Sequence, residues 1–418
     1  MKIEIRHGKL YGKGDVGSVF IENGRFVDSL SGDADRMIDA AGNAVVPGLI
    51  DAHCHLREPG FEYREDIISG TKSAAKGGFT SVLCMPNTRP VCDNAAIVKS
   101  VVSKAKEHGY AHVFPVGAAS KGLQGKELAE YGLMKEEGIV ALSDDGKPIV
   151  TADLLQKVLL YAADFDLPFM DHCEEISLSD GSMNEGVVST VLGLKGIPAA
   201  AEDIAIARDI IVAEYLDLPI HICHVSTRGG VRMIREAKLR GVKVTAETCP
   251  HYFVLTDEAC MGFAVNAKMN PPLRSEEDRL AVIEGLRDGT LDLIVTDHAP
   301  HHSDEKEVEF SLSNNGILGF ETAFSLAYTY LVKPGLIPFE RVLSAFTKNP
   351  SRIFRLGRGT LETGAPADVS IFDLENAYIY DREKSLSKSR NTPFHRYELY
   401  GRTVVTICEG RITYEEFC

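Results

Sequence analysis

The sequence is short of positive charge: 45 Lys and Arg stand against 60 Asp and Glu, a formal net charge of −15 over 418 residues, with no basic block anywhere. DNA, RNA and anionic membrane surfaces are gripped by clustered positive charge, so a nucleic-acid partner and a membrane partner are both excluded. Long apolar runs are missing too. No window approaches the roughly 18 consecutive apolar residues that span a bilayer, and the opening MKIEIRHGKLYGKGD carries no apolar signal segment. A soluble, cytoplasmic protein is the expectation. There is no CxxC pair, and the nine cysteines are odd in number and fall mostly in apolar runs such as TSVLCMP and PIHICHV. They read as reduced, buried thiols, not as a disulfide framework. Cys54, Cys173 and Cys223 each stand beside a histidine, which on a strand turns them to the opposite face and argues against a thiol nucleophile. No repeat or low-complexity tract occurs.

What is present is an ordinary globular composition, 44% hydrophobic and 25% charged, with more chain than the ~50–200 residues of one simple domain. Eight short apolar or β-branched runs recur: 45–55, 78–86, 110–118, 138–146, 167–175, 218–227, 242–251 and 291–300. Amphipathic stretches separate them. Residues 94–108 put Ile97, Val101 and Ala105 on one face, 151–164 open on Thr151 as an N-cap, and 202–216 and 275–287 behave alike. Alternating strand and helix argues for parallel strands covered by helices, and eight units predict a closed (β/α)8 barrel over 45–356, with a doubly wound open sheet as the runner-up. The ends differ. Residues 1–44 and 357–418 read as short strands broken by turns, predicting one accessory β domain built from both termini.

His53-Cys54-His55 follows the first run, and strand alternation projects both imidazoles to one side, a chelating arrangement. An HxH pair alone is a weak signal, since two polar residues can simply end a strand. Position strengthens it: Asp145 in SDDG, His172 in MDHCEE, His224 in CHVST and Asp297 in VTDHAP also lie near the ends of their own runs, on the rim where barrels of this kind carry chemistry. Four His and two Asp suit Zn²⁺ or a similar divalent ion. Six ligands exceed one tetrahedral ion, whereas two ions sharing a bridging carboxylate and hydroxide would use them all.

The strings DAHCHLREPG, GGFTSVLCMPNTRP, SDDG, HCEE, CHVST, KMNPPLR and TDHAPH together resemble the class I dihydroorotases of the amidohydrolase superfamily, over nearly the whole chain. The resemblance implies that His53, His55 and Asp297 hold one zinc, His172 and His224 a second, and that Asp145 bridges them where many relatives use a carboxylated lysine. Arg57 starts on the same side of the chain as His55, and its planar guanidinium suits a carboxylate; taken alone it could equally pair with Glu58 or Glu62. The resemblance implies that Arg57, Asn87 and His301 bind the substrate carboxylate and that Asn270 contacts the ring. The implied reaction is the reversible closure of N-carbamoyl-L-aspartate to L-dihydroorotate and water in pyrimidine synthesis, through a metal-bound bridging hydroxide with Asp297 as general acid and base.

Residues 301–318 form a long polar connection, expected to be a mobile segment over the site. Where relatives carry an aromatic-Gly pair for backbone contacts to substrate, this chain has Asn315-Gly316. His251 reads either as a support for the site or as a structural histidine, and His7, His108, His112, His221 and His395 as structural or surface residues. Two other readings stay open. An allantoinase or hydantoinase would share barrel and metals, although Arg57 and Asp145 fit it less well, and a non-catalytic barrel could scaffold aspartate carbamoyltransferase. An active enzyme could also associate with that partner or form a homodimer.

Overall fold

The apolar run at 45–55 is not one strand. In the computed structural model, which describes residues 1–11 and 16–416, it divides at Gly48. Ala44–Pro47 pairs antiparallel with Val369–Asp373 in an outer sheet, while Leu49–Cys54 is the first barrel strand, β1. Glycine is needed at the crossing because a Cβ on Gly48 would lie 2.2 Å from Thr80 Oγ1.

Seven further strands follow in the expected places: β2 (Phe79–Cys84), β3 (His112–Ala118), β4 (Ala141–Ser143), β5 (Phe169–Asp171), β6 (Ile220–Ile222), β7 (Val244–Thr248) and β8 (Leu293–Ile294). Each pairs in parallel with the next. The ring closes just beyond β8, where Asp297 N donates to His53 O at 3.0 Å and His55 N to His298 O at 2.9 Å. Asp51, fully buried in β1, reinforces the seam by accepting from Thr296 N at 2.9 Å and Thr296 Oγ1 at 2.5 Å. The fold is a (β/α)8 barrel, and the open-sheet alternative is overturned by this closure.

The covering helices start where capping chemistry allows. Asn94 accepts from the N–H groups of Ala96 and Ile97 to open Ala95–His108, Thr151 from Leu154 N to open Ala152–Asp164, and Ser275 forms a capping box with Asp278 at Glu276–Asp288. The inner face of Ala95–His108 is Val98, Val101 and Ala105; Ile97 is only half-buried, one position off the predicted stripe.

Strands from both ends of the chain share one sheet, in the order Arg411–Glu415, Arg402–Cys408, Val369–Asp373, Ala44–Pro47, Lys2–Leu10, Val16–Glu22 and Arg25–Val27, with Arg36–Asp39 also on Lys2–Leu10. Phe372 of this sheet stacks on Phe324 with centroids 3.8 Å apart, joining it to the barrel's aromatic core of Phe79, Phe320 and Phe346. Truncating so buried a ring costs about 3–5 kcal/mol. The eight described cysteines are free and buried, as expected; Cys418 lies outside the described residues. Burial pushes the thiols of Cys54, Cys173 and Cys223 well above their ordinary range, which disfavours a thiolate nucleophile. Among the described residues no helix is long and apolar enough to cross a membrane.

The connection 301–318 has local structure of its own. It contains a short helix, Ser303–Lys306, and buries Lys306 and Phe310. Two lysines gather its carbonyls: Lys268 Nζ donates to Ser311 O at 2.9 Å and Ser313 O at 2.7 Å, and Lys306 Nζ donates to Asn314 O at 2.7 Å and Gly316 O at 3.3 Å.

Candidate metal centre and substrate cleft

Strand alternation at the end of β1 behaves as the sequence predicts. Cys54 turns outward and donates its thiol proton to Leu83 O at 3.2 Å, while His53 and His55 both project inward. The other four candidate ligands reach the same point from separate strands. Asp145 is the hub: one carboxylate oxygen stands 3.4 Å from His53 Nε2, 3.7 Å from His172 Nδ1 and 3.6 Å from His224 Nε2, and the other stands 3.5 Å from His55 Nε2. Asp297 Oδ1 lies 3.1 Å from His55 Nε2 and 3.7 Å from His53 Nε2. His172 Nδ1 and His224 Nε2 face each other at 2.8 Å. All six side chains are buried.

These positions are set by tertiary structure. Arg57, His224 and Asp297 have φ of 60°, 33° and 44°, left-handed conformations that cost L side chains energy and are kept where the surroundings enforce them. Electrostatics point the same way. Burial alone would raise Asp145, but His53, helped by hydrogen bonds with His172 and His224, holds its carboxyl well below the ordinary range. At Asp297 burial is likewise outweighed by the hydrogen bond from His55 and the charge of His53. Burial works against the protonated form of His172, yet Asp145 and Glu174 hold its value up to about 10.

Two observations test the fit to a metal. Among the described residues, His53 Nε2, the atom that faces Asp145 and Asp297, is buried with no hydrogen-bond partner. Ligand atoms of His53, His55 and Asp297 lie within 4.8 Å of one another, as do those of His53, Asp145 and His224. Imidazole and carboxylate atoms converging on one point are what a divalent cation needs, so the donor set fits.

A cleft of about 230 Å³ opens onto this centre, lined among others by Arg57, Asn87, Asn270, His301, Asn315 and Gly316, the candidate substrate residues. Arg57 pairs with neither Glu58 nor Glu62; Glu58 pairs with Lys104, and Glu62 accepts from Gly60 N at 2.9 Å. Its guanidinium donates to Pro300 O at 3.1 Å and stands 3.3 Å from His301 Nε2. Burial, with Arg64 nearby, lowers it to about 10, so it stays a cation. Among the described residues it makes no salt bridge. His301 accepts from Asn314 Nδ2 at Nδ1 (3.3 Å) and donates Nε2–H to Asn315 O (2.7 Å). Gly316 is forced by space, since a Cβ would lie 2.5 Å from Ala299 Cβ, at φ +119°. Its N–H already donates to Lys268 O at 3.0 Å and its carbonyl accepts from Asn391 Nδ2 at 3.0 Å, so it shapes the wall without a free backbone group to offer.

Asn87 and Asn270 also touch the metal-side histidines. Asn87 Oδ1 accepts from His55 Nδ1 at 2.9 Å, and Asn270 Nδ2 donates to Glu174 Oε1 at 3.2 Å beside His172. Sequence reading overlooked Glu174, which holds His172 Nε2 at 3.3 Å, and Glu247, which accepts from His53 Nδ1 at 2.7 Å. The signals were an acid two residues after His172 in HCEE and a lone acid inside the apolar run KVTAETC. His221, set aside as structural, is buried and hydrogen-bonded to Glu247 at 3.0 Å. His251 lies beside Asp297 with Nε2 unpartnered among the described residues, and burial lowers it to about 4.

Known proteins resemble the chain at several levels. The sequence profile of the family described as Dihydro-orotase-like matches residues 42–230. A dihydroorotase of Acetivibrio thermocellus is 56% identical over 399 residues, 95% of this chain and 93% of its own length. One of Ruminiclostridium cellulolyticum is 58% identical over 376 residues, 90% of this chain and 88% of its own. Among solved structures, the L-hydantoinase (dihydropyrimidinase) from Arthrobacter aurescens superposes with a TM-score of 0.88 at 23% identity, covering 99% of this chain and 96% of that one, which is likeness of fold. With more than half of its residues shared over nearly all of its length, the chain belongs to the dihydroorotase family.

Proposed function

We propose that this chain is a dihydroorotase that interconverts N-carbamoyl-L-aspartate and L-dihydroorotate plus water, the ring-forming step of pyrimidine biosynthesis. His53, His55 and Asp297 would hold one zinc ion, His172 and His224 a second, with Asp145 between them. When bound, the two ions would polarise the ring amide carbonyl and lower the pKa of a water held at the site.

The observation that carries the substrate is Arg57. A buried guanidinium without a carboxylate partner is costly unless an anion completes it, and dihydroorotate differs from neutral cyclic amides by a carboxylate. Arg57 would take that group as a planar two-point donor, with Asn87 Nδ2 and His301 beside it, and Asn270 would contact the ring. Asp297, kept ionised by His55 and His53, would accept the proton of the attacking water and hand it to the departing ring nitrogen. In the reverse direction the same carboxylate would take the proton from the carbamoyl nitrogen as it closes on the side-chain carboxyl and deliver it to the departing oxygen.

The test is ring opening of dihydroorotate by the purified protein, before and after chelation and zinc addition. Turnover should vanish with chelator and return with zinc. Zinc-loaded protein that leaves dihydroorotate intact but opens hydantoin or allantoin would overturn the substrate assignment.

A further inference from the structure

We infer that Glu247 and His221 are positioning residues for the metal centre, forming a proton-ordered chain that presents His53 Nε2 toward Asp145 and Asp297. The inference rests on the reading of His53 as a zinc ligand.

The chain runs through neighbouring barrel strands. In the parallel pairing of β6 and β7, His221 stands opposite Thr245, and Glu247 lies one further inward-facing position along β7. Its carboxylate is fully buried and takes one imidazole on each oxygen: His53 Nδ1 at 2.7 Å on Oε1 and His221 Nε2 at 3.0 Å on Oε2. His221 Nδ1 in turn stands 2.8 Å from Thr245 Oγ1, and its ring meets Phe354 edge-on with centroids 5.5 Å apart.

With both imidazoles neutral, one arrangement of protons satisfies every contact. An ionised carboxylate accepts and cannot donate, so His53 carries its proton on Nδ1 and His221 carries one on Nε2. The lone pair of His221 then lies on Nδ1 and accepts the Thr245 hydroxyl proton. The lone pair of His53 is left on Nε2, the atom that faces Asp145 at 3.4 Å and Asp297 at 3.7 Å and has no hydrogen-bond partner among the described residues. No Lys or Arg salt bridge reaches Glu247 among the described residues, and each of its two oxygens orients one ring. A ligand imidazole held through its remote N–H is fixed in tautomer and made more basic, and removing such a partner typically costs about 10–100-fold in metal affinity.

Substitutions at three positions, read by zinc affinity in chelator competition on the full-length protein, test the chain. Glu247→Gln keeps the shape but puts a donor where an acceptor is required, and should bind zinc roughly 10–100-fold more weakly. His221→Gln retains an N–H donor toward Glu247 and should stay within a few-fold of wild type. His221→Phe fills the same volume beside Phe354 without that donor and should lose about tenfold. A purely structural role predicts the opposite order at position 221, because an apolar ring suits a buried site at least as well as an amide. In ¹⁵N-histidine spectra of the zinc-free protein, recorded at a pH high enough to leave the imidazole neutral, His53 should be the Nδ1–H tautomer in wild type and a mixture in Glu247→Gln. If both Phe and Gln at 221 bind zinc like wild type, the inference is overturned; if Glu247→Gln fails to fold, the two variants at 221 still distinguish positioning from packing. His53→Asn separates the two levels: wild-type zinc stoichiometry in that variant would overturn the metal reading itself, whereas lost zinc there with unchanged affinity in the 221 and 247 variants would overturn the positioning chain alone.

Discussion

Asn87 Oδ1 lies 2.9 Å from His55 Nδ1, so a residue of the substrate cleft also orients an imidazole of the metal centre. Asn87→Ala should therefore lose on both counts, with kcat/KM and zinc affinity each falling about 10–100-fold. Asn87→Asp keeps the acceptor for His55 but replaces the amide donor, and should retain zinc while raising KM for dihydroorotate. Steady-state kinetics combined with chelator titration separates the two; an Ala variant with wild-type zinc affinity would remove the link between them.

Arg57→Met should lower kcat/KM for dihydroorotate by the equivalent of about 2–5 kcal/mol, the usual cost of deleting one partner from a buried charge pair. That is roughly thirtyfold to several-thousandfold. Dihydrouracil, the same ring without the carboxylate, is predicted to be turned over poorly by wild type and no worse by the variant. A proportional loss on both substrates would mean that Arg57 supports the cleft without reading the carboxylate.

Asp297→Asn keeps the side-chain volume and removes the proton acceptor. Turnover should drop by about 10²–10⁴-fold or more, with zinc content measured alongside. Wild-type rates in a zinc-replete variant would assign the acid–base role elsewhere, His251 being the neighbouring candidate.

Lys306 links the cleft wall to pH. Burial and the neighbouring Lys268 lower it from an ordinary value near 10.5 to about 7, with Cys260 as the weaker opposing influence. Between about pH 7 and 10 the unfolded chain keeps a proton on this lysine that the folded protein has released, so the unfolded state binds more protons and this group makes stability rise with pH. The slope is about 1.4 kcal/mol per pH unit at most. Lys306→Met leaves the carbonyls of Asn314 and Gly316 without their donor and should be less stable throughout. Its denaturation midpoints from pH 7 to 8.5 should also lack the rise seen in wild type. Parallel pH profiles for the two proteins would show that Lys306 does not titrate there.

Sequence alone determined the eight strand–helix units, the turn-rich ends and the six candidate ligands, because these depend on local chemistry. Alternation along a strand puts His53 and His55 on one face and Cys54 on the other whatever lies around them, and Thr151 caps its helix through a hydrogen bond three residues long. The break of the first apolar run at Gly48 was not legible, since nothing local distinguishes Val45 from Ile50; the distinction lies in the approach of Thr80 and the outer sheet. The same holds for the local structure of 301–318, whose composition reads only as a long polar connection, whereas the fold brings Lys268 and Lys306 to its carbonyls. Glu247 and His53 are 194 residues apart and meet at 2.7 Å. Spacing in sequence carries no information on such a pair, because only closure of the barrel brings β1 and β7 onto a shared interior, where a carboxylate withdrawn from water must find its partners among whatever the other strands present.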